Sequence, residues 1–197
     1  MRKSIIVLIM ICVLFYSGCN GIDDDRSSFA SEPEISTSEV SEISSDEMRA
    51  VTGLSYSVPK NKWHYLSDNP NVQTYNSMFG IDTLLYVQYS TELYDRPINE
   101  ETVLDELAYA VEHTEGVTYF EIEESTFQGY RCHYIFRSLD VVQEIDNSYV
   151  TYHYYNYSLS FVANGGLYTI VLTSPEELDR YMEDFNEVID SIVITPI

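Results

Sequence analysis

Residues 148–162 carry aromatic side chains at both parities and contain no proline or glycine to interrupt them. Tyrosine-rich sequence of this kind reads as one long β-strand. Successive strand residues alternate between faces, so Tyr149, Tyr155, Tyr157 and Phe161 share one face while Tyr152 and Tyr154 occupy the other. A buried phenol requires a hydrogen-bond partner, and tyrosines on both faces therefore imply that neither face is wholly apolar. Asn164-Gly165-Gly166 supplies a turn into a following strand, Leu167–Thr173.

Other segments supply partners for that pair. Leu54, Tyr56 and Val58 alternate in a short strand that Pro59 ends, with Trp63 shortly after. Residues 72–78 and 82–91, separated by Phe79-Gly80, read as a hairpin. Asn99 is placed to cap a helix at about 100–113, where Val103, Leu104, Leu107, Ala108, Ala110 and Val111 form one apolar face. A second hairpin spans 117–137. With its turn centred near Phe127 and Gly129, Glu121 faces His133 and Glu123 faces Arg131. The other parity, Tyr130, Cys132, Tyr134 and Phe136, is suited to burial, which predicts a buried Cys132. Arg131, His133 and Arg137 are the one concentrated cationic group, readable as an anion or carboxylate site or as cross-strand partners of Glu121 and Glu123. Near the end, Ser174, Pro175 and Glu177 match a capping box. Leu178, Tyr181, Met182, Phe185, Val188, Ile189 and Ile192 follow at helical spacing. The opposite face, Glu176, Asp179, Glu183, Asp184 and Glu187, is acidic and reads as solvated.

The N-terminal segment carries an address. Arg2-Lys3 form a positive start, Ile5 to Tyr16 an apolar run, and Ser17-Gly18-Cys19 a small-residue end. That run is shorter than the roughly 20 residues a helix needs to cross the hydrocarbon core. The pattern resembles a bacterial lipoprotein signal, and the resemblance implies cleavage after residue 18 and a diacylglyceryl group on the Cys19 thiol. Residues 19–50 follow as a lipid-anchored, acidic, serine-rich linker with Phe29 as its single aromatic residue. Such a segment cannot bury enough apolar surface to offset its ordering entropy. As a flexible coil it reaches about 30 Å, and about 100 Å fully stretched.

Composition shifts at residue 51, and 51–197 is of a size typical for one domain. Within it, Gly53-Leu54-Ser55-Tyr56-Ser57-Val58-Pro59 with Trp63, together with Tyr168-Thr169-Ile170 and the helix running into Phe185 to Ile194, resembles the PsbP-like superfamily. The resemblance implies an α+β fold: a twisted, mainly antiparallel sheet flanked by helices in an α/β/α sandwich. The matched positions are strand, turn and core positions, so no catalytic residue is carried over.

The net charge of the chain is −22. Only Lys60, Lys62, Arg96, Arg131, Arg137 and Arg180 are basic beyond residue 50, too few to follow a phosphate backbone, which argues against nucleic acid as a partner. His64, His113, His133 and His153 are scattered singly, and Asp23-Asp24-Asp25 lacks the alternation and turn glycine of a calcium loop. Phosphate-loop glycines and a G-x-S-x-G elbow are absent, so the sequence proposes no catalytic residue, cofactor or metal ligand. The expected function is that of a lipoprotein on the extracytoplasmic face of a cell membrane, acting as a non-catalytic binding or assembly module. Its partner would be an envelope protein or small ligand, with Tyr152, Tyr154 and His153 as candidate binding residues. A small envelope hydrolase with an unrecognised site is the alternative.

Overall fold

The computed structural model describes residues 47–69, 71–80, 82–145 and 148–197. These residues belong to one unit, Asp46–Ile197. The expected signal peptide (1–18), Cys19 and the linker up to residue 46 lie outside them.

Seven strands form the main sheet: β3 (Trp63–Asn69), β4 (Val72–Ser77), β5 (Leu84–Ser90), β8 (Val117–Phe127), β9 (Tyr130–Ile145), β10 (Ser148–Ala163) and β11 (Gly166–Ser174). Their spatial order is β3-β4-β5-β11-β10-β9-β8, and every pair is antiparallel. A three-stranded sheet places β2 (Leu54–Val58) between β1 (Glu47–Val51) and β12 (Val193–Ile194). A two-residue ladder, β6 (Glu92–Leu93) with β7 (Arg96–Pro97), precedes helix α1 (Val103–Glu112). A 3₁₀ turn (Leu178–Arg180) and helix α2 (Met182–Asp190) follow β11. This is the expected α+β architecture, a mainly antiparallel sheet with a helix on each face.

Alternation divides the main sheet into two apolar layers. Leu85, Val87, Tyr89, Leu159, Phe161, Tyr168, Ile170 and Leu172 face α2 and the small sheet, where they meet Tyr56, Val58, Tyr181, Phe185 and Val188. On the opposite face, Tyr86, Ile135, Leu139 and Val171 are buried, as are Val103 and Leu104 of α1. Burying both faces of a sheet removes enough apolar surface from water to offset the ordering of its strands. Lys62 ties the approach to β3 to α2, with its Nζ 2.6 Å from Asp184 Oδ1 and 3.5 Å from Glu187 Oε2.

Four details differ from the sequence reading. Residues 47–50, read as the end of the linker, pair with β2 in β1, because Val51 is buried and the strand leads into it. Helix α1 starts at Val103: Asn99 instead makes a turn ahead of it, its side chain accepting from Glu101 N and its carbonyl from Thr102 and Val103. The capping box does not close. Ser174 Oγ is held at the end of β11 by Thr83 Oγ1 at 2.8 Å, and Glu177 is extended, so helical geometry begins at Leu178 and α2 proper at Met182. The turn of the second hairpin is Gln128-Gly129, both at positive φ, which suits a two-residue hairpin turn. The register moves accordingly: Glu123 faces Tyr134, Glu124 faces His133 and Thr126 faces Arg131.

Phe185 anchors α2 against the sheet with no exposed surface and an edge-on contact to Tyr157 at 5.4 Å. Phe185→Ala is expected to lower stability by about 3–5 kcal/mol, the ordinary cost of an emptied aromatic site. Urea unfolding checks this, and a loss below about 1 kcal/mol would show that the helix closes over the gap.

Candidate functional site

The face shared with α2 does not end where the helix ends. Beyond Phe185, Tyr134 and Phe136 of β9 and Tyr155 and Tyr157 of β10 continue it as half-buried rings. Tyr134 stacks on Tyr157 with centroids 6.2 Å apart, and Phe136 stacks on Tyr155 at 6.4 Å. Both contacts are diagonal across the strands, because the register sets Phe136 opposite Tyr157 and Ser138 opposite Tyr155. Tyr119 of β8 meets Phe136 edge-on at 5.9 Å. Glu121 and Glu123, exposed on β8, stand opposite Phe136 and Tyr134. Together Glu121, Ile122, Glu123, Tyr134, Phe136 and Tyr157 line an open groove of about 310 Å³.

The field in this groove is negative. Burial pushes the Tyr157 phenol pKa up, and the Glu123 carboxylate adds to the shift. Burial does the same for Tyr134, reinforced by Cys132, Tyr157, Glu123 and Asp190 at the end of α2. Both phenols therefore stay protonated at neutral pH, offering neutral hydroxyls and electron-rich ring faces between carboxylates. Tyr119 donates its hydroxyl to Glu121. Cys132, predicted buried, has no exposed surface, and burial raises its thiol pKa, so it packs as a small apolar residue in the core, opposite Phe161.

On the opposite face Arg131 and His133 form a separate cluster with α1. Arg131 Nη2 lies 2.6 Å from Asp105 Oδ1, 3.4 Å from Glu124 Oε2 and 3.5 Å from His133 Nε2. Asp105, Glu124 and His133 bring ligand atoms within 4.8 Å of one another, a grouping that could hold a metal ion. The Arg131 guanidinium contacts all three and supplies the countercharge itself. Of the two readings of the cationic group, Arg131 and His133 fit the structural one, with Glu124 and Asp105 as partners in place of Glu121 and Glu123, while Arg137 lies further along β9, opposite Phe120. Asp105 was not read as a partner because it approaches from a helix 26 residues away in sequence.

Tyr152 and Tyr154 are half-buried on the α1 side of β10, opposite Val141 and Leu139. His153 does not join them. Adjacent strand residues point to opposite faces, so its ring lies on the groove side, exposed, with Nδ1 2.6 Å from Asp140 Oδ1 and its edge against Tyr155 at 4.8 Å. The three candidate residues are thus split between faces. Among the described residues, 140–145 and 148–154 have only each other as strand partners, since β8 reaches Leu139 and β11 reaches Tyr155. They extend the sheet as a two-stranded arm on which Tyr149 is 76% exposed.

No protein-family model matches the chain, and no curated protein sequence matches it. Among solved structures it is similar to a Bacteroides thetaiotaomicron protein, with TM-score 0.43 and 8% identity over 76% of this chain and 47% of that one. The chain thus spans about half the length of that protein. It is also similar to cyanobacterial PsbP from Synechocystis, with TM-score 0.42 and 15% identity over 81% of this chain and 98% of that one. A third similar structure is LpqN of Mycobacterium tuberculosis, a protein involved in cell envelope biogenesis, with TM-score 0.46 and 14% identity over 79% and 87% of the two chains. No residue role passes from these proteins to this one.

His133 is 1% exposed, and burial, with Arg131 beside it, holds its imidazole pKa below the ordinary range. The unfolded chain takes up this proton first as pH falls, so stability present above the ordinary imidazole pKa is lost below it. The urea midpoint is expected to fall between about pH 7 and about pH 5.5, and to fall less in His133→Gln. Equal slopes in the two proteins would refute the assignment.

Proposed function

We propose that this chain is a non-catalytic binding module held at the extracytoplasmic face of a cell membrane by lipid on Cys19, and that it recognises its partner at the groove of Tyr134, Phe136, Tyr155 and Tyr157. The observation that carries the reading is the pairing of stacked, half-buried rings with exposed carboxylates in an open groove. Aromatic side chains that are partly wet in the free protein cost little to desolvate and bury a large area on docking, and for this reason they dominate recognition surfaces. Clustered carboxylates such as those on α2 are costly to desolvate. The sequence of residues 1–50 supports the tethered placement: a short apolar run, Ser17-Gly18-Cys19, and a long polar connection.

The hydrolase alternative has the His153–Asp140 pair in its favour, a carboxylate orienting an imidazole at 2.6 Å. That pair sits on the exposed arm, where its remaining contact is the Tyr155 ring, and water reaches it freely. The groove is the better-formed site.

Expression of the full chain in a bacterial host is expected to place it in the membrane fraction with acyl mass on Cys19, whereas Cys19→Ser leaves an unacylated precursor. Mass spectrometry showing a mature N-terminus elsewhere would refute the anchor. For the groove, a photo-crosslinking residue at Tyr119, 48% exposed at its rim, is expected to form adducts in cells. The same residue at Tyr109, 63% exposed on α1, is expected to form far fewer. Equal yields from the two positions would refute the groove as the recognition site.

A further inference from the structure

Among the described residues β8 ends the seven-stranded sheet, and one row of its backbone N–H and C=O groups has no strand beside it. An edge of eleven residues is a template for another chain, and proteins commonly blunt such edges with lysine. Val117–Phe127 contains no lysine; it carries Glu121, Glu123 and Glu124. Glu124 is answered within the domain by Arg131 on the α1 side. Glu121 and Glu123 point to the groove side, and among the described residues neither has a cation partner.

Two carboxylates at i and i+2 on a strand lie about 6–7 Å apart, the spacing of alternate side chains along an added strand. The surroundings select the sign of those side chains. Electron-rich faces of Tyr119, Tyr134 and Phe136 attract cations, Asp190 adds a further negative charge, and the chain as a whole carries −22. We propose that β8 is the docking edge for an extended segment of a partner protein bearing lysine or arginine at alternate positions. The segment adds as an eighth strand, and its cations meet Glu121 and Glu123 at the mouth of the groove, with Tyr119 as a ring face beside them. This deepens the groove reading above and rests on it. Backbone pairing supplies sequence-independent affinity, and the alternate cations supply selectivity and a fast, salt-dependent encounter.

The test uses the full chain held in detergent micelles and three eight-residue peptides in which threonine alternates with lysine, serine or glutamate. Binding is followed by NMR at the rings of Tyr119, Tyr134 and Phe136 and by hydrogen exchange at the β8 amides. The lysine peptide is expected to shift these rings, to protect the β8 amides that face away from β9, and to lose affinity about tenfold between low and high salt. Glu121→Gln with Glu123→Gln is expected to weaken it about tenfold, whereas Glu124→Gln on the other face leaves it unchanged. Serine-peptide binding as tight as that of the lysine peptide would overturn the cation requirement and leave the groove reading standing. Lysine-peptide binding with shifts scattered over the acidic surface and no β8 protection would overturn strand addition. If no peptide moves the groove rings or protects β8, both this proposal and the groove reading fall.

Discussion

A phenol buried in an apolar core has to place its hydroxyl on an acceptor or donor, and this requirement holds the layers of the domain in register. Tyr56 has no exposed surface, and its hydroxyl lies 2.5 Å from Gln73 Oε1 and 2.9 Å from the Tyr75 hydroxyl, linking the small sheet to β4. Gln73 returns the contact through Nε2 to the Ala50 carbonyl at 2.6 Å. Tyr168 donates to the Thr52 carbonyl at 2.8 Å and accepts from Asn164 Nδ2 at 3.1 Å. Apolar burial is not directional and would tolerate sliding of one layer over another; an unpaired buried hydroxyl would not. Gly53 and Gly80 belong to the same arrangement, because a Cβ at either would collide with the hydroxyl of Tyr168 or Tyr181 respectively.

The groove is a consequence of unequal lengths. β9 and β10 each run for 16 residues, whereas α2 covers only nine residues of helix on their face. Phe161 of the sheet and Phe185 of α2 itself are fully enclosed, and the rings past the end of the helix stack on one another while remaining partly wet. The opposite face differs because α1 brings a carboxylate, Asp105, onto Arg131 and closes its charge cluster internally. One face of the β8–β9 hairpin is electrostatically complete, and the other presents carboxylates to solvent.

Much of this was legible in the sequence. The alternation of Leu54, Tyr56 and Val58, the apolar parity of Cys132, Tyr134 and Phe136, and the helical spacing of Tyr181, Phe185 and Val188 each mark a buried face, and each is buried or partly buried in the fold, whereas Tyr130, expected to be buried with Cys132, is exposed beside the hairpin turn. Partner identity was harder to read. Centring the hairpin turn near Phe127 and Gly129 rather than on Gln128-Gly129 moved every cross-strand pair by three residues, which assigned Glu121 and Glu123 to cations and hid their position on the aromatic face. β3 was not anticipated, since Trp63–Asn69 mixes polar and aromatic residues and contains a bulge between Tyr65 and Ser67 that breaks strict alternation. The capping box failed because the backbone stays extended at Glu177: Ser174 Oγ, bonded to Thr83 from 91 positions earlier, accepts from Glu176 N, and helical geometry begins only at Leu178.

The position of β1 has a mechanical consequence. It is an outer strand of the three-stranded sheet, and its first residue, Glu47, pairs with Val58 at the end of β2. Any pull arriving through the preceding chain is therefore delivered to the Glu47–Val58 end of an antiparallel ribbon. Tension perpendicular to the strands would open this ribbon one rung at a time, whereas tension along them loads the whole ladder at once in shear. The direction of the pull, and not only the equilibrium stability of the domain, sets how readily its first strand peels away.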